Sequence, residues 1–188
     1  STLGVPATTW SLDQWGQYLL ACSNADGKIY EWQLNTSTIA AVLSNAPTGN
    51  TAIMVTDERF VFALGAGGNP RKIQWSDREN NNLWAAAATN EAGSIELQTS
   101  GVIQCGVRVQ NQALILTTTD AHTATYSGPP YVYGVERVGT SCGCVSAQGV
   151  AVVDMGAVWM GRESFFVYSG GTVQELASDV SDYIYSDI

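Results

Sequence analysis

Tyr18-Leu19-Leu20-Ala21 is a short run of apolar side chains, and the sequence repeats its character three more times. The later copies are Phe60-Val61-Phe62-Ala63, Ala113-Leu114-Ile115-Leu116 and Ala157-Val158-Trp159-Met160. A half-buried strand alternates polar and apolar residues, so a continuous apolar run of this length reads as a strand covered on both faces. Each copy follows a turn-forming pair: Gly16-Gln17, Glu58-Arg59, Asn111-Gln112 and Met155-Gly156. Each leads through a polar turn into a strand carrying aromatics, namely Tyr30 and Trp32, then Trp75, then Tyr126, then Phe165, Phe166 and Tyr168. Successive copies start 42, 53 and 44 residues apart.

Outward from these runs the chain reads as more strands, four to eight residues long and bounded by Gly, Asn, Asp and Pro. Among them are Trp10–Trp15, Lys72–Ser76, Val102–Gln110, Val132–Val138 and Phe165–Ser169. Three or four strands recurring at this period predict an all-β fold of the β-propeller type, or part of one, with about four blade-like antiparallel units. The units span roughly residues 8–48, 49–100, 101–148 and 149–188 of a single propeller-like region covering 1–188. A lone four-stranded sheet cannot bury both faces, so such sheets stack, and the apolar runs are expected as the innermost strands. A β-sandwich with coincidental spacing is the alternative. The best helical stretch is Thr38–Asn45, while the end of the chain around Tyr183-Ile184-Tyr185 looks strand-like. The chain begins without Met and is read as a piece of something longer.

Charged residues make up 13 % of the chain, a low share that suits surfaces buried in a large assembly. Eight Lys and Arg face seventeen Asp and Glu, for a net charge of −9. Clustered cations are what displace counterions from nucleic-acid phosphates, so a DNA- or RNA-binding role through this chain is not expected. Four cysteines, Cys22, Cys105, Cys142 and Cys144, are too few for a disulfide framework and read as buried free thiols. No apolar stretch is long enough for a membrane helix.

No motif for catalysis, metal or cofactor emerges, and the chain is read as a non-enzyme. Gly65-Ala66-Gly67-Gly68-Asn69-Pro70 lacks the Lys and the following helix of a phosphate loop, so it is a flexible hairpin loop. Cys142-Gly143-Cys144 offers two thiols where a structural zinc needs four ligands; Gly139 and Gly143 instead suggest a tight turn with positive φ. Ser76 and Asp77 are placed to accept backbone N–H groups in a turn, with Trp75 and Trp84 clamped between sheets. Asp120, His122 and Ser127 contain the residue types of a hydrolase triad, but proximity along a hairpin does not make one. Gly128-Pro129-Pro130 leads into Tyr131 and Tyr133, which are candidates for contact with a partner.

Several of these stretches, taken together and in order, resemble a family of structural tail proteins of short-tailed bacteriophages. They are Trp10–Gly16, Arg59–Gly65, Lys72–Asp77, Asp120–His122, Gly128–Gly134, Gly139–Gly143 and Ser181–Asp187. The resemblance implies a nozzle or head-closure protein in the virion tail, assembled in the bacterial cytoplasm. It implies a six-fold homo-oligomeric ring, with portal, adaptor and other tail proteins as neighbours. The ring forms part of the DNA channel and retains the packaged genome. An acidic lumen would let DNA slide without sticking, and Asp179, Asp182 and Asp187 are candidates for that surface. The competing reading is a carbohydrate-binding or glycan-hydrolysing propeller for receptor recognition, with Trp84, Tyr131 and Tyr133 stacking on sugars.

Overall fold

A computed structural model describes residues 8–186. These form sixteen β-strands, one 3-10 turn and one short α-helix. The strands make four separate antiparallel sheets of four, each in simple chain order. The first sheet holds β1 (Trp10–Trp15), β2 (Tyr18–Ser23), β3 (Ile29–Trp32) and β4 (Ala41–Val42). The second holds β5 (Ala52–Val55), β6 (Val61–Leu64), β7 (Lys72–Trp75) and β8 (Gly93–Glu96). The third holds β9 (Ile103–Val109), β10 (Gln112–Thr117), β11 (Asp120–Gly128) and β12 (Val132–Thr140). The fourth holds β13 (Val150–Val153), β14 (Gly156–Met160), β15 (Phe165–Ser169) and β16 (Thr172–Leu176), followed by α1 (Ser181–Ser186). Each sheet lies inside one of the four segments expected from the repeat, and the four apolar runs fall on β2, β6, β10 and β14. These are the second strands of their sheets, not the first.

The chain packs into two compact units. One contains the residues up to Val55 together with Arg59–Ile95; the other contains Thr56–Glu58 and the chain from Glu96 onward. In the first unit Leu20, Cys22 and Ile29 of the first sheet meet Ile53, Val55, Val61 and Ala63 of the second, with Trp15 and Trp84 closing the core. The edge strands are tied by side chains. Ser11 Oγ accepts the Ile53 amide at 2.9 Å and Asp13 Oδ2 accepts the Val55 amide at 2.7 Å. The polar positions of β1 therefore satisfy a strand edge that would otherwise lack acceptors. Gly27, with φ of 61°, presses against the Gly49–Asn50 backbone, where a Cβ would come within 2.5 Å. Asn50 seals that junction by donating to the carbonyls of Gly27 and Pro47 at 2.8 and 2.6 Å.

In the second unit Leu114, Leu116 and Ala121 of the third sheet pack on Ala157, Trp159 and Tyr168 of the fourth, with Cys105, Cys142 and Cys144 among them. Trp159 is fully buried and its indole N–H donates to the Cys142 carbonyl at 2.7 Å. The Tyr168 hydroxyl donates to Gln112 Oε1 at 2.9 Å.

The second strands of the second and third sheets are buried on both faces: Phe62 and Leu64 are as inaccessible as Val61 and Ala63, and Ile115 is as inaccessible as Leu114. The first and fourth sheets bury one face. On the first sheet the register aligns Leu12, Ala21 and Tyr30 on the face away from the core, with Trp10, Leu19, Trp32 and Val42 beside them. Trp10 is 50 % exposed and Leu12 60 %. On the fourth sheet Ala151, Val158 and Val167 form the corresponding row, with Val153, Met160, Phe165 and Leu176 alongside. Among the described residues, no large exposed apolar side chain lies between Val42 and Val102.

Three local expectations are revised. Thr38–Asn45 is not helical; it supplies β4, because Tyr30 and Glu31 need a partner on their outer side. The end of the chain is a helix, not a strand. Its first turn begins where the Ser178 carbonyl accepts the Ser181 amide, and Tyr185 packs on Phe165 with ring centroids 5.6 Å apart. The glycine-rich loop contains a 3-10 turn at Ala66–Gly68 entered through Gly65 in the left-handed region.

Candidate functional site

The most elaborate polar feature is a cleft in the second unit, about 750 Å³ in volume, where one end of the third sheet meets one end of the fourth. Its floor is the hairpin between β10 and β11. The Thr117 hydroxyl accepts the Thr119 and Asp120 amides at 3.0 Å each and donates to Asp120 Oδ1 at 2.5 Å. Thr99 donates to the same oxygen at 2.9 Å. His122, next on the same face of β11, places Nε2 3.2 Å from Asp120 Oδ1 without the alignment of a hydrogen bond. Burial raises the Asp120 carboxyl's affinity for its proton, but the bonds from Thr117 and Thr99 and the proximity of His122 outweigh it. The group is held below the ordinary carboxylate range.

The walls come from neighbouring loops. Thr140 ends β12 and Ser141 follows it, and Gly143 lies so close to the hairpin that a Cβ there would come within 2.0 Å of the Thr118 carbonyl oxygen. Gly139 and Gly143 are therefore required for close approach, not for positive φ as their spacing suggested; the left-handed residue in this turn is Ser141, at φ of 56°. The opposite wall carries Arg162, Glu163 and Ser164 from the β14–β15 loop, Phe166 from β15 and Glu175 from β16. Ser164 donates to Glu175 at 2.5 Å. Arg137, from the β12 position opposite His122, completes the lining.

The other sequence candidates are placed as follows. Tyr131 is 82 % exposed. Tyr133 is buried, which removes it as a surface for a partner or a sugar. Its hydroxyl donates to Glu58 at 3.0 Å and shares a proton contact with Thr56 at 2.8 Å, its ring meets Tyr126 edge-on, and burial pushes the phenol up. Trp84 is also buried, its N–H given to the Asn81 carbonyl, so it cannot stack on a ligand. Ser76 and Asp77 do accept backbone amides, from Val61 and Glu91. Asp120 and His122 are brought together, but Ser127 sits near the far end of β11 with its hydroxyl on the Val132 carbonyl, so the three do not converge. Asp179 is exposed in the turn before α1; Asp187 and the side chain of Asp182 lie outside the described residues.

All four cysteines are buried free thiols. Burial raises Cys22 to about 12 and Cys142 to about 11. Cys144 is lowered by the neighbouring Cys105 thiol, whose own proton is held more tightly. Among the described residues no helix is long and apolar enough to cross a membrane, and no three His, Cys, Asp or Glu side chains cluster as metal ligands.

No protein-family model matches the sequence, and no curated protein matches it. Solved structures do resemble it. A protein from Lactobacillus plantarum superposes with a TM-score of 0.57 at 11 % identity, over 89 % of this chain and 54 % of that one. Streptogramin B lyase gives 0.58 at 9 % identity, over 95 % and 57 %. A protein described as the extracellular domain of a hybrid two-component system from B. thetaiotaomicron gives 0.59 at 12 %, over 95 % and 23 %. The neighbours are of the β-propeller type, and this chain has that fold. It spans little more than half the length of the first and second of these and under a quarter of the third. Streptogramin B lyase is an enzyme; at 9 % identity the likeness extends to the fold alone.

Proposed function

We propose that this chain is a structural component of a bacteriophage tail, of the nozzle or stopper kind, working as one member of a homo-oligomeric ring through which the genome passes. The observation that carries the reading is the pair of uncovered apolar sheet faces. Trp10, Leu12 and Val42 on the first sheet, and Val153 and Leu176 on the fourth, stand in water on sheets whose other faces carry the two cores. A sheet of this type is stable and soluble when both faces are covered, and large exposed apolar patches mark surfaces that meet other protein. The sparse charge agrees, because a surface destined for burial gains little from ions that must then be desolvated. The ordered set of motifs that resemble those of short-tailed phage proteins supports this particular assembly over others. Catalysis has no part in this role.

The acidic balance supports a channel that does not grip its cargo. Asp179 is exposed in the turn before α1, where it can add negative charge to a lumen. The test is localisation: antibodies against this chain, applied to phage particles that encode it, should decorate the tail in electron micrographs. Particles that carry no label, and whose protein complement lacks the chain, would overturn the proposal. A second check is affinity for duplex DNA at low salt, where cation-driven binding is strongest. No measurable binding is expected; tight, salt-sensitive binding would point to a clamp.

A further inference from the structure

The tail reading makes no use of the polar cleft of the second unit, and the cleft is built unlike the rest of the surface. Only eight basic residues exist in the chain, yet two of them, Arg137 and Arg162, line this one concavity. Among the described residues neither guanidinium takes part in an ion pair. A guanidinium left without a carboxylate presents a fork of donors suited to a planar oxyanion. Around the two arginines stand hydroxyls that can donate or accept, from Ser100, Thr118, Thr119, Thr140 and Ser141. Glu163 and Glu175 add acceptors, and Phe166, half-buried and stacked on Trp159 at 5.9 Å, adds an apolar ring at the wall.

We infer that this cleft binds a saccharide bearing a carboxylate, with the acid group taken by Arg137 and Arg162 and the ring hydroxyls by the surrounding Ser, Thr and Glu side chains. Each lining type has a counterpart in such a ligand: guanidinium for carboxylate, hydroxyl and carboxylate acceptors for sugar O–H groups, and an aromatic ring for the C–H face of a pyranose. A phosphate chain fits less well. Three carboxylates, Asp120, Glu163 and Glu175, line the same space, and the net charge of −9 repels a polyanion. One carboxylate set among many hydroxyls matches two arginines set among many hydroxyls. The floor is preorganised, because Thr117 and Thr99 hold Asp120 from below and Gly143 fixes the wall against the hairpin.

The experiment is calorimetric titration of the whole chain with the mono-acidic disaccharide galacturonosyl-galactose, with the neutral digalactoside and inorganic phosphate as comparison probes. Galacturonosyl-galactose is expected to bind saturably. Arg137→Gln and Arg162→Gln, both at exposed positions, are each expected to weaken it roughly tenfold or more, as for loss of a charge-assisted bond. The neutral sugar should fall by a similar factor, phosphate at equal concentration should not displace galacturonosyl-galactose, and Lys28→Gln in the first unit should leave binding unchanged. Absence of saturable binding, equal binding of the neutral sugar, displacement by phosphate, wild-type affinity in both arginine variants, or an equal loss in Lys28→Gln would each overturn the assignment.

Discussion

The first and second sheets share a strand order, a hairpin connectivity and a core, yet they differ in how many faces they hide. Phe62 in the second sheet is fully buried on the side away from that core, whereas Leu12, on the corresponding side of the first, is 60 % exposed. The contrast shows that an apolar face in this fold is written into the sequence whether or not the described residues cover it. The fourth sheet repeats the first in this respect, although Tyr185 of α1 packs on Phe165 of its outer face. Such faces are positions for neighbours, and their chemistry is that of a core that has not yet been closed.

The largest expected effect separates the two sheets directly. Phe62→Ala should cost about 3–5 kcal/mol in denaturant unfolding, since it empties a site sealed on all sides. Leu12→Ala should change the stability of the isolated chain by no more than about 0.5 kcal/mol, as for an exposed surface position. A large loss in Leu12→Ala would mean that the outer face of the first sheet is already packed in the isolated protein.

A smaller effect is expected at the hairpin of the third sheet. Asp120→Asn keeps the shape but removes the charge that accepts from Thr117 and Thr99, and should cost about 1.5–3 kcal/mol at neutral pH. Because the Asp120 carboxyl is depressed in the folded state, its contribution is complete above the unfolded value of 3.8 and fades as pH falls through the lower folded value. The gap between wild type and Asp120→Asn should therefore be constant from neutral pH down to about 5 and close in stronger acid. A gap that widens with acidification would show that the carboxylate is not the stabilised form.

The smallest effect belongs to the surface of the first unit. Glu79→Gln removes the 3.2 Å ion pair with Arg59, whose guanidinium also lies 4.6 Å from the Trp15 ring. Both partners of the ion pair are open to solvent, so the loss should stay within about 1 kcal/mol and shrink further in high salt. A salt-independent loss larger than that would indicate a structural role that exposure does not suggest.

Much of this fold is legible from the runs at Tyr18, Phe60, Ala113 and Ala157, since continuous apolarity, preceding turn and following aromatic strand recur together. Their position as second strands is not legible, because a strand hidden by lateral neighbours and one hidden at the centre of a ring have the same composition. β4 escapes because two residues carry no period, and α1 escapes because Tyr183-Ile184-Tyr185 fits alternation as well as it fits one helical turn. The cleft is less legible still. Arg137 and Arg162 are 25 residues apart, and only the packing of the fourth sheet on the third brings them to one concavity. Tyr131 and Tyr133 looked equivalent two apart on one strand, but Tyr131 lies in the turn before β12 and Val132 between them takes a left-handed φ of 61°, so the first is exposed and the second buried.

On the proposed tail role, neighbouring protein covers the outer faces of the first and fourth sheets, and cysteine labelling reads this directly. Leu12→Cys and Val153→Cys place thiols on those two faces, against a background in which all four native thiols are buried. In the isolated chain both should react with a maleimide at the rate of an open thiol. In tails assembled from the same variants both should be protected, while a thiol at Asn111, exposed and outside either face, should remain reactive in both states. Equal reactivity of positions 12 and 153 before and after assembly would contradict the claim that these faces are where neighbours dock.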